Sequence, residues 1–527
     1  MKMSSECQSR LGQSSFAEGE IFAVATPDVL SSTLCLTEFL ASSSLESSAT
    51  AALLSLGRQL PHLCGLGGDC IIIHSSRDGT AFGVNGCGRS GTGHLPDRFS
   101  SSIPRRGWES AMVYGAPRGL DLFSKTFDVD AKSIAARIRS ASGDTLARTK
   151  TLDYFLDTHS HELQRAKNLP LWQKSLLASD IKDRFIKWPK SSNNTLDAIA
   201  LNGFEDLYSG TFGSHIANVI SRDSCGIFSG EDITDFESVK SELVTDYVFD
   251  AKITLVGPNT PWLELLVLLR VLDFFNKRKG IKSDNELFTL VCIASGILSQ
   301  VLNDFPYRTR TDELPPNQND IVSEISSHVV RGLDATTLLP ALSAGSDTVF
   351  AALAGANGAV IGLTGSTFTP FGALVNVGET DLSLSNRASA FSLNSADWKL
   401  LKPRMPAPHT TNALLVENIE YKLSLGTTGG PVQVQVLAQL LFRILVWKQR
   451  LSTVLSSPRA ANFGFFPKAN KVIWLSEMPL SNFGQVLSVL ERYSLKMGVA
   501  QMAGFKKSDK TYFAATDPRG DGVAIAI

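Results

Sequence analysis

The sequence predicts an α plus β protein whose second part is rich in sheet. Three observations carry this. Short apolar, β-branched runs alternate with helical periods, as in "IFAVATPDVLSSTLCLTEFLAS", a strand running into a helix. From Thr348 onward the pattern turns to strands: "TVFAALAG" and "AVIGLTGS" flank an Ala-Asn-Gly turn, a strong hairpin signal. Two strongly apolar stretches, "WLELLVLLRVLDFF" (262–275) and "VQVQVLAQLLFRILVWK", read as buried helices.

In chain order, residues 1–20 are polar and rich in Ser and Gln, and read as a loose tail. They hold no apolar segment of the kind a secretory signal needs. After the first strand and helix, "ATAALLSLGRQLPHL" is a small-residue helix running into the loop "CGLGGD" (64–69). The strands "CIIIHSS" and "TAFGVNG" follow, joined at Arg77-Asp78-Gly79. Residues 130–200 are helical and charged. "DFPYRTRTDELPPNQND" (304–320) reads as an exposed connector. Beyond the hairpin, "TNALLVENIEYKLSLGTTGG" gives strands, and the chain closes with "TYFAATDPRGDG".

With 527 residues, 43% of them hydrophobic, the chain can bury a large core. Its 50 basic and 51 acidic side chains give a net charge of -1, no electrostatic reason to expect nucleic acid or an anionic membrane. The longest apolar run is too short to span a bilayer and is interrupted by Glu264, Arg270 and Asp273. Seven cysteines without a CxxC pair suggest reduced, buried thiols in a cytoplasmic protein. A small-molecule substrate is the expected partner; no cofactor and no metal are expected.

Thr348, in "GSDTVF", begins a strand, as a β-branched residue commonly does. Its context allows a sharper reading. A Gly/Ser stretch precedes it, and a strand behind it would hold its hydroxyl rigidly. Were the Asp347–Thr348 bond cut, the hydroxyl would sit beside a free α-amine with an unperturbed pKa near ~8, able to serve as its base. In "SLGTTGGPVQVQ", Gly429 and Gly430 join a strand to a helix and could present backbone N–H groups as an oxyanion hole, or form a tight turn. The loop "GLGGD" lacks the lysine and spacing of nucleotide-binding loops and reads as a close-packing device. His159 and His161, in "DTHSHELQ", read as a solvated helix face rather than a metal pair.

Taken in order, "GLGGD", "NGFEDLYSGTFGSHIANVI" (202–220), "ITLVGPNTPWLELLVLLRVL" (253–272), "DTVFAALAGANGAVIGLTGSTFTPFG", "LSNRASAFS", "PHTTNALLV", "GTTGG" and "ATDPRGDG" resemble the gamma-glutamyltransferase family of N-terminal-nucleophile (Ntn) hydrolases. The resemblance runs from about residue 20 to 527 and is weakest between 130 and 200. "DTV", "SNRASAFS" and "PHT" look closest to the branch that includes oxamate amidohydrolase. It implies an αββα four-layer sandwich, made as a precursor that cuts itself between Asp347 and Thr348. The fragments would be residues 1–347, of which 21–347 form the large-subunit part of the Ntn domain, and 348–527, paired as a heterodimer, with a higher homo-oligomer left open. It further implies Thr348 as nucleophile, Ser366 as the second hydroxyl on the neighbouring strand, and Gly429 with Gly430 as oxyanion hole. "DPR" (Asp517, Pro518, Arg519) matches a structural element.

The chain departs from the family where a γ-glutamyl group would be held. An Arg of the transferases falls at Gly86, with Arg89 three residues on; their serine pair becomes His409-Thr410; an Asp becomes Ala390; an Asn becomes Phe368. Asn386 and Arg387 are present. The partner for an α-ammonium is therefore missing, and a buried charge without a partner is costly. The expected substrate is the amide of a small acid that is not a γ-glutamyl compound, with its carboxylate read by Arg387, Arg89 or His409. Three alternatives stay open: a homologue cleaving a C–C or acyl bond, an uncut relative that only binds a small acid, and a γ-glutamyl enzyme with rearranged anchors.

Overall fold

The computed structural model describes residues 15–180, 182–189, 194–301, 318–330, 347–355, 358–395, 397, 399–465, 472–480 and 487–527. The strands in chain order are β1 (Ser15–Gly19), β2 (Phe22–Thr26), β3 (Asp69–Ser75), β4 (Ala81–Gly86), β5 (Thr145–Ala147), β6 (Phe185–Lys187), β7 (Val239–Ser241), β8 (Leu243–Val248), β9 (Ala251–Val256) and β10 (Asp347–Gly355). They continue with β11 (Ala359–Phe368), β12 (Leu414–Glu417), β13 (Tyr421–Thr427), β14 (Ala460–Phe465), β15 (Val472–Ser476), β16 (Leu487–Val489), β17 (Ala500–Lys506), β18 (Tyr512–Thr516) and β19 (Val523–Ala526).

Two seven-stranded sheets dominate. One runs β19-β2-β10-β11-β3-β4-β7, the other β1-β18-β17-β13-β12-β9-β8. Side-chain alternation along the strands shows why they stack. In β10, Val349, Ala351 and Leu353 belong to a core shared with helices Val29–Ser42 and Leu45–Gln59, while Phe350, Ala352 and Ala354 belong to a core between the sheets. In β3 the same split separates Cys70 and Ile72 from Ile71 and Ile73. The second sheet buries its outer face under helices Trp262–Lys279, Asp284–Val301 and Gln433–Leu445. The layers are therefore helix, sheet, sheet, helix.

The hairpin expected after Thr348 is present: β10 and β11 pair antiparallel from Asp347↔Phe368 to Gly355↔Ala359. Ala356 and Asn357 of its turn lie outside the described residues, as does nearly all of the 304–320 connector. The apolar run at 262–275 is part of one buried helix, and among the described residues no helix is long and apolar enough to cross a membrane. Five of the six described cysteines are buried and all six are free; Cys225 is exposed.

Two expectations need correction. Ser15–Gly19 is not loose tail: it pairs with β18 from Ser15↔Thr516 to Gly19↔Tyr512, because β18 offers an open edge and backbone pairing needs no apolar sequence. His159 does not face solvent. Its Nδ1 lies 3.3 Å from Glu162 and 3.4 Å from Arg106 Nη2, and its ring packs against Phe155 and Phe371. His161 is exposed. "DPR" closes a fully buried charge network in which Arg519 donates to Asp517 Oδ1 at 2.9 Å and to Glu477 Oε1 at 2.9 Å, while Arg459 bonds the other Asp517 oxygen.

Candidate active site

Three neighbouring strands place Thr348, Ser366 and Asp69 in a row. Ser366 and Asp69 are register partners on β11 and β3. Thr348 sits where the β10–β11 register shifts, so that it alone faces Ser366 and Thr367. Register irregularities of this kind are over-represented next to active sites, where they re-aim a side chain. Alternation puts Ser366 with Val360 and Asp69 with Ile71 on the face toward the second sheet. Thr348 Oγ1 lies 3.4 Å from Ser366 Oγ, and both residues are buried.

The loop before β12 and the start of helix Gln433–Leu445 supply the remaining neighbours. Thr411 Oγ1 lies 3.3 Å from Thr348 Oγ1, and the Gln433 amide lies 3.4 Å from it. Gln433 is best satisfied with its NH2 donating to the carbonyls of Thr410 (3.2 Å) and Thr427 (3.3 Å), which turns its oxygen toward Thr348. Among the described residues, the Thr348 hydroxyl therefore meets two hydroxyls and an amide. None of them is a base near neutral pH.

Asp69 organises the charges. Its Oδ1 accepts the Gly88 N–H at 2.8 Å. Its Oδ2 accepts from Arg387 Nε at 2.9 Å, His409 Nε2 at 3.3 Å and Ser385 Oγ at 3.4 Å. Burial would raise the Asp69 pKa, but the His409 hydrogen bond, the Arg387 charge and the Gly88 N–H outweigh it and hold it at about 2. Burial and then the Arg387 charge push His409 down to about 4, against the pull of Asp69. His409 is thus a neutral imidazole near pH 7. Its Nδ1 accepts the Thr411 N–H at 3.3 Å, which leaves the proton on Nε2, facing Asp69.

Asp69, Cys87 and His409 bring donor atoms within 4.8 Å of one another, the one such grouping among the described residues. The trio suits a metal poorly. Asp69 is already paired with Arg387, and burial together with the Asp69 charge drives the Cys87 thiol well above its ordinary range, away from the thiolate a soft cation needs.

The other expected site residues divide. Arg387 is in the cluster: it is 1% exposed, donates through Nη2 to Ser366 Oγ at 3.2 Å, and lies with its guanidinium carbon 4.7 Å from the Phe368 ring centre. Phe368 ends β11 at φ 75°, a costly conformation for an aromatic residue, with its N–H donated to Ser366 Oγ at 3.0 Å. Gly429 (φ 105°) and Gly430 (φ 55°) lie four and three residues before Gln433, where the helix begins. A Cβ on Gly429 would come within 2.9 Å of Val432 Cγ2.

Asn386 is spent on the framework, donating to the Arg105 carbonyl at 2.7 Å and accepting from Thr369 N at 3.0 Å. Arg89 points elsewhere, to the Asp232 carbonyl at 3.3 Å and the Phe236 ring. Thr410 presents its carbonyl to Gln433. Gly86 packs against Cys70 and Gly119. Asp69, Thr411 and Gln433 were not singled out from sequence. Asp69 closes the glycine loop "GLGGD", whose Gly68 passes so close to the chain that a Cβ would sit 2.3 Å from the Ser366 carbonyl oxygen.

A family model described as gamma-glutamyltranspeptidase matches residues 44–527. The chain belongs to this family. It is accordingly an amide-bond hydrolase of the type that uses an N-terminal threonine nucleophile. Among curated proteins, the glutathione hydrolase-like YwrD proenzyme of Bacillus subtilis (strain 168) is 25% identical over 502 residues, covering 89% of this chain and 91% of the relative. Glutathione hydrolase proenzyme 1 of Schizosaccharomyces pombe is 21% identical over 363 residues, covering 63% and 56%. Among solved structures, cephalosporin acylase from Bacillus halodurans superposes with a TM-score of 0.81 at 18% identity, covering 97% of each chain. That likeness carries the fold: the αββα sandwich is the Ntn-hydrolase architecture.

Proposed function

We propose that this gamma-glutamyltranspeptidase-family protein matures by cutting itself between Asp347 and Thr348. It then hydrolyses an amide-type bond of a small acid that is not a γ-glutamyl compound. One observation carries the reading: a buried threonine hydroxyl, beside a second hydroxyl at 3.4 Å, has no base among its described partners. Cutting the chain supplies one, since the new α-amine belongs to Thr348 itself.

In maturation, Thr348 Oγ1 attacks the Asp347 carbonyl carbon and the peptide bond becomes an ester. Water cleaves the ester, leaving the Asp347 α-carboxylate on residues 1–347 and a free amine on residues 348–527. In turnover, the amine takes the hydroxyl proton as Oγ1 bonds to the substrate's acyl carbon, then gives it to the departing nitrogen. Water next splits the acyl-enzyme, releasing the acid and restoring Thr348. Ser366 orients the Thr348 hydroxyl. Gly429 and Gly430, with backbone geometry that favours glycine, would offer N–H groups to the oxyanion.

Exclusion of γ-glutamyl substrates rests on Asp69. An α-ammonium needs a carboxylate, and both oxygens of this one are taken by Gly88, Arg387, His409 and Ser385. Release of p-nitroaniline from γ-glutamyl p-nitroanilide tests the point. Turnover at least about 100-fold slower than with the best small-acid amide is expected, in line with the cost of a buried unpaired charge. Comparable rates would overturn it.

A further inference from the structure

Arg387 is 1% exposed, yet among the described residues its Nη1 has no hydrogen-bond partner. A buried N–H group left unmade is costly, so a ligand that completes it gains by that amount. The rest of the side chain is fixed. Asp69 Oδ2 holds Nε at 2.9 Å, Ser366 Oγ takes Nη2 at 3.2 Å, and the Phe368 ring lies against the guanidinium at 4.7 Å. The guanidinium is planar, so Nη1 has essentially one position. Asp69 is a positioning residue here: its Oδ1 is anchored by the Gly88 N–H, and its Oδ2 aims Arg387.

We infer that Arg387 Nη1 receives the substrate's carboxylate, and that this carboxylate lies close to the bond being cut. The inference rests on the proposed role of Thr348. The same guanidinium reaches the nucleophile through two short steps, 3.2 Å from Nη2 to Ser366 Oγ and 3.4 Å from Ser366 Oγ to Thr348 Oγ1. On this reading a carboxylate oxygen about 2.8 Å from Nη1 and a carbonyl carbon about 3 Å from Oγ1 belong to one small molecule, separated by roughly zero to two carbons. The substrate class is the monoamide of a short dicarboxylic acid. His409, neutral and committed through both ring nitrogens, adds no competing charge.

The test uses the purified, cleaved protein with the monoamides of oxalic, malonic, succinic and glutaric acids and the methyl ester of each. Ammonia release is read by kcat/KM, and binding by calorimetry. The expected result is a preference for each short acid over its ester of about 10- to 100-fold, as for a charge-assisted hydrogen bond, falling off by the glutaric chain. Arg387→Gln alone strands the Asp69 carboxylate, so Arg387→Gln with Asp69→Asn is the informative variant, and the acid-over-ester preference should vanish in it. Equal use of acids and esters, a preference that grows with chain length, no calorimetric binding of any acid, or a preference that survives the double substitution would each overturn the anchor. The site of self-cleavage is read separately by mass. An uncut chain that still binds malonamate would overturn the Thr348 assignment and leave the anchor standing.

Discussion

Asp69 and Ser366 are register partners on adjacent strands, and Arg387 spans them, with Nε on Asp69 at 2.9 Å and Nη2 on Ser366 at 3.2 Å. The pair ties the charged cluster to the nucleophile row. A change at Asp69 should therefore be felt at Thr348 although the two do not touch.

Replacing Thr348 by Ala removes the attacking oxygen. Both self-cleavage and turnover should fall by at least about 10³-fold. Thr348→Ser keeps an oxygen and should cut and turn over at a reduced rate. A denaturing gel and a substrate assay on the same preparations check this.

Asp69→Asn leaves Arg387 buried without its counter-charge. Breaking such a pair from one side costs about 3–5 kcal/mol, whereas Asp69→Leu with Arg387→Met should restore part of the stability without restoring activity. Urea midpoints of the single and double variants, measured beside kcat/KM, separate stability from function.

Gly429→Ala puts a side chain at φ 105° and within 2.9 Å of Val432. About 1–3 kcal/mol of strain is expected. If the glycine pair forms the oxyanion hole, kcat should fall by about 10² or more while KM changes little.

Burial holds the histidines His62, His94 and His409 at about 3, 4 and 4, below the unfolded value near 6.5. The unfolded chain therefore binds protons first. Their contribution to stability is fully present above about pH 6.5 and is lost as pH falls, down to about 4 for His94 and His409 and about 3 for His62. His62, with neither ring nitrogen bonded among the described residues, should give the clearest signal: His62→Leu should flatten the fall in urea midpoint between pH 7 and 5. An unchanged slope would contradict its burial as a neutral ring.

Much of the framework could be read from local pattern. The β10–β11 hairpin follows from two β-branched runs around Ala-Asn-Gly, and the long helices from sustained apolar spacing. Ser366, on the strand beside Thr348, came from the family resemblance rather than from local pattern. The charged cluster had no such local signature: Asp69 meets Arg387 across 318 positions of sequence, and His409 across 340. Residue type alone likewise could not tell a spent side chain from a free one. Asn386 looks like a ligand-binding group but satisfies the Arg105 carbonyl, while Arg387 keeps an edge unpaired among the described residues. Ser15–Gly19 gave no strand signal because its edge pairing uses backbone groups rather than apolar side chains.

The central claim is that Thr348 becomes the first residue of a second polypeptide. Intact-mass measurement of the purified protein, with N-terminal sequencing, tests it most directly. The account predicts two chains that part between Asp347 and Thr348, the smaller reading Thr-Val-Phe from its first residue. A single 56.9 kDa species in an enzymatically active preparation would contradict it.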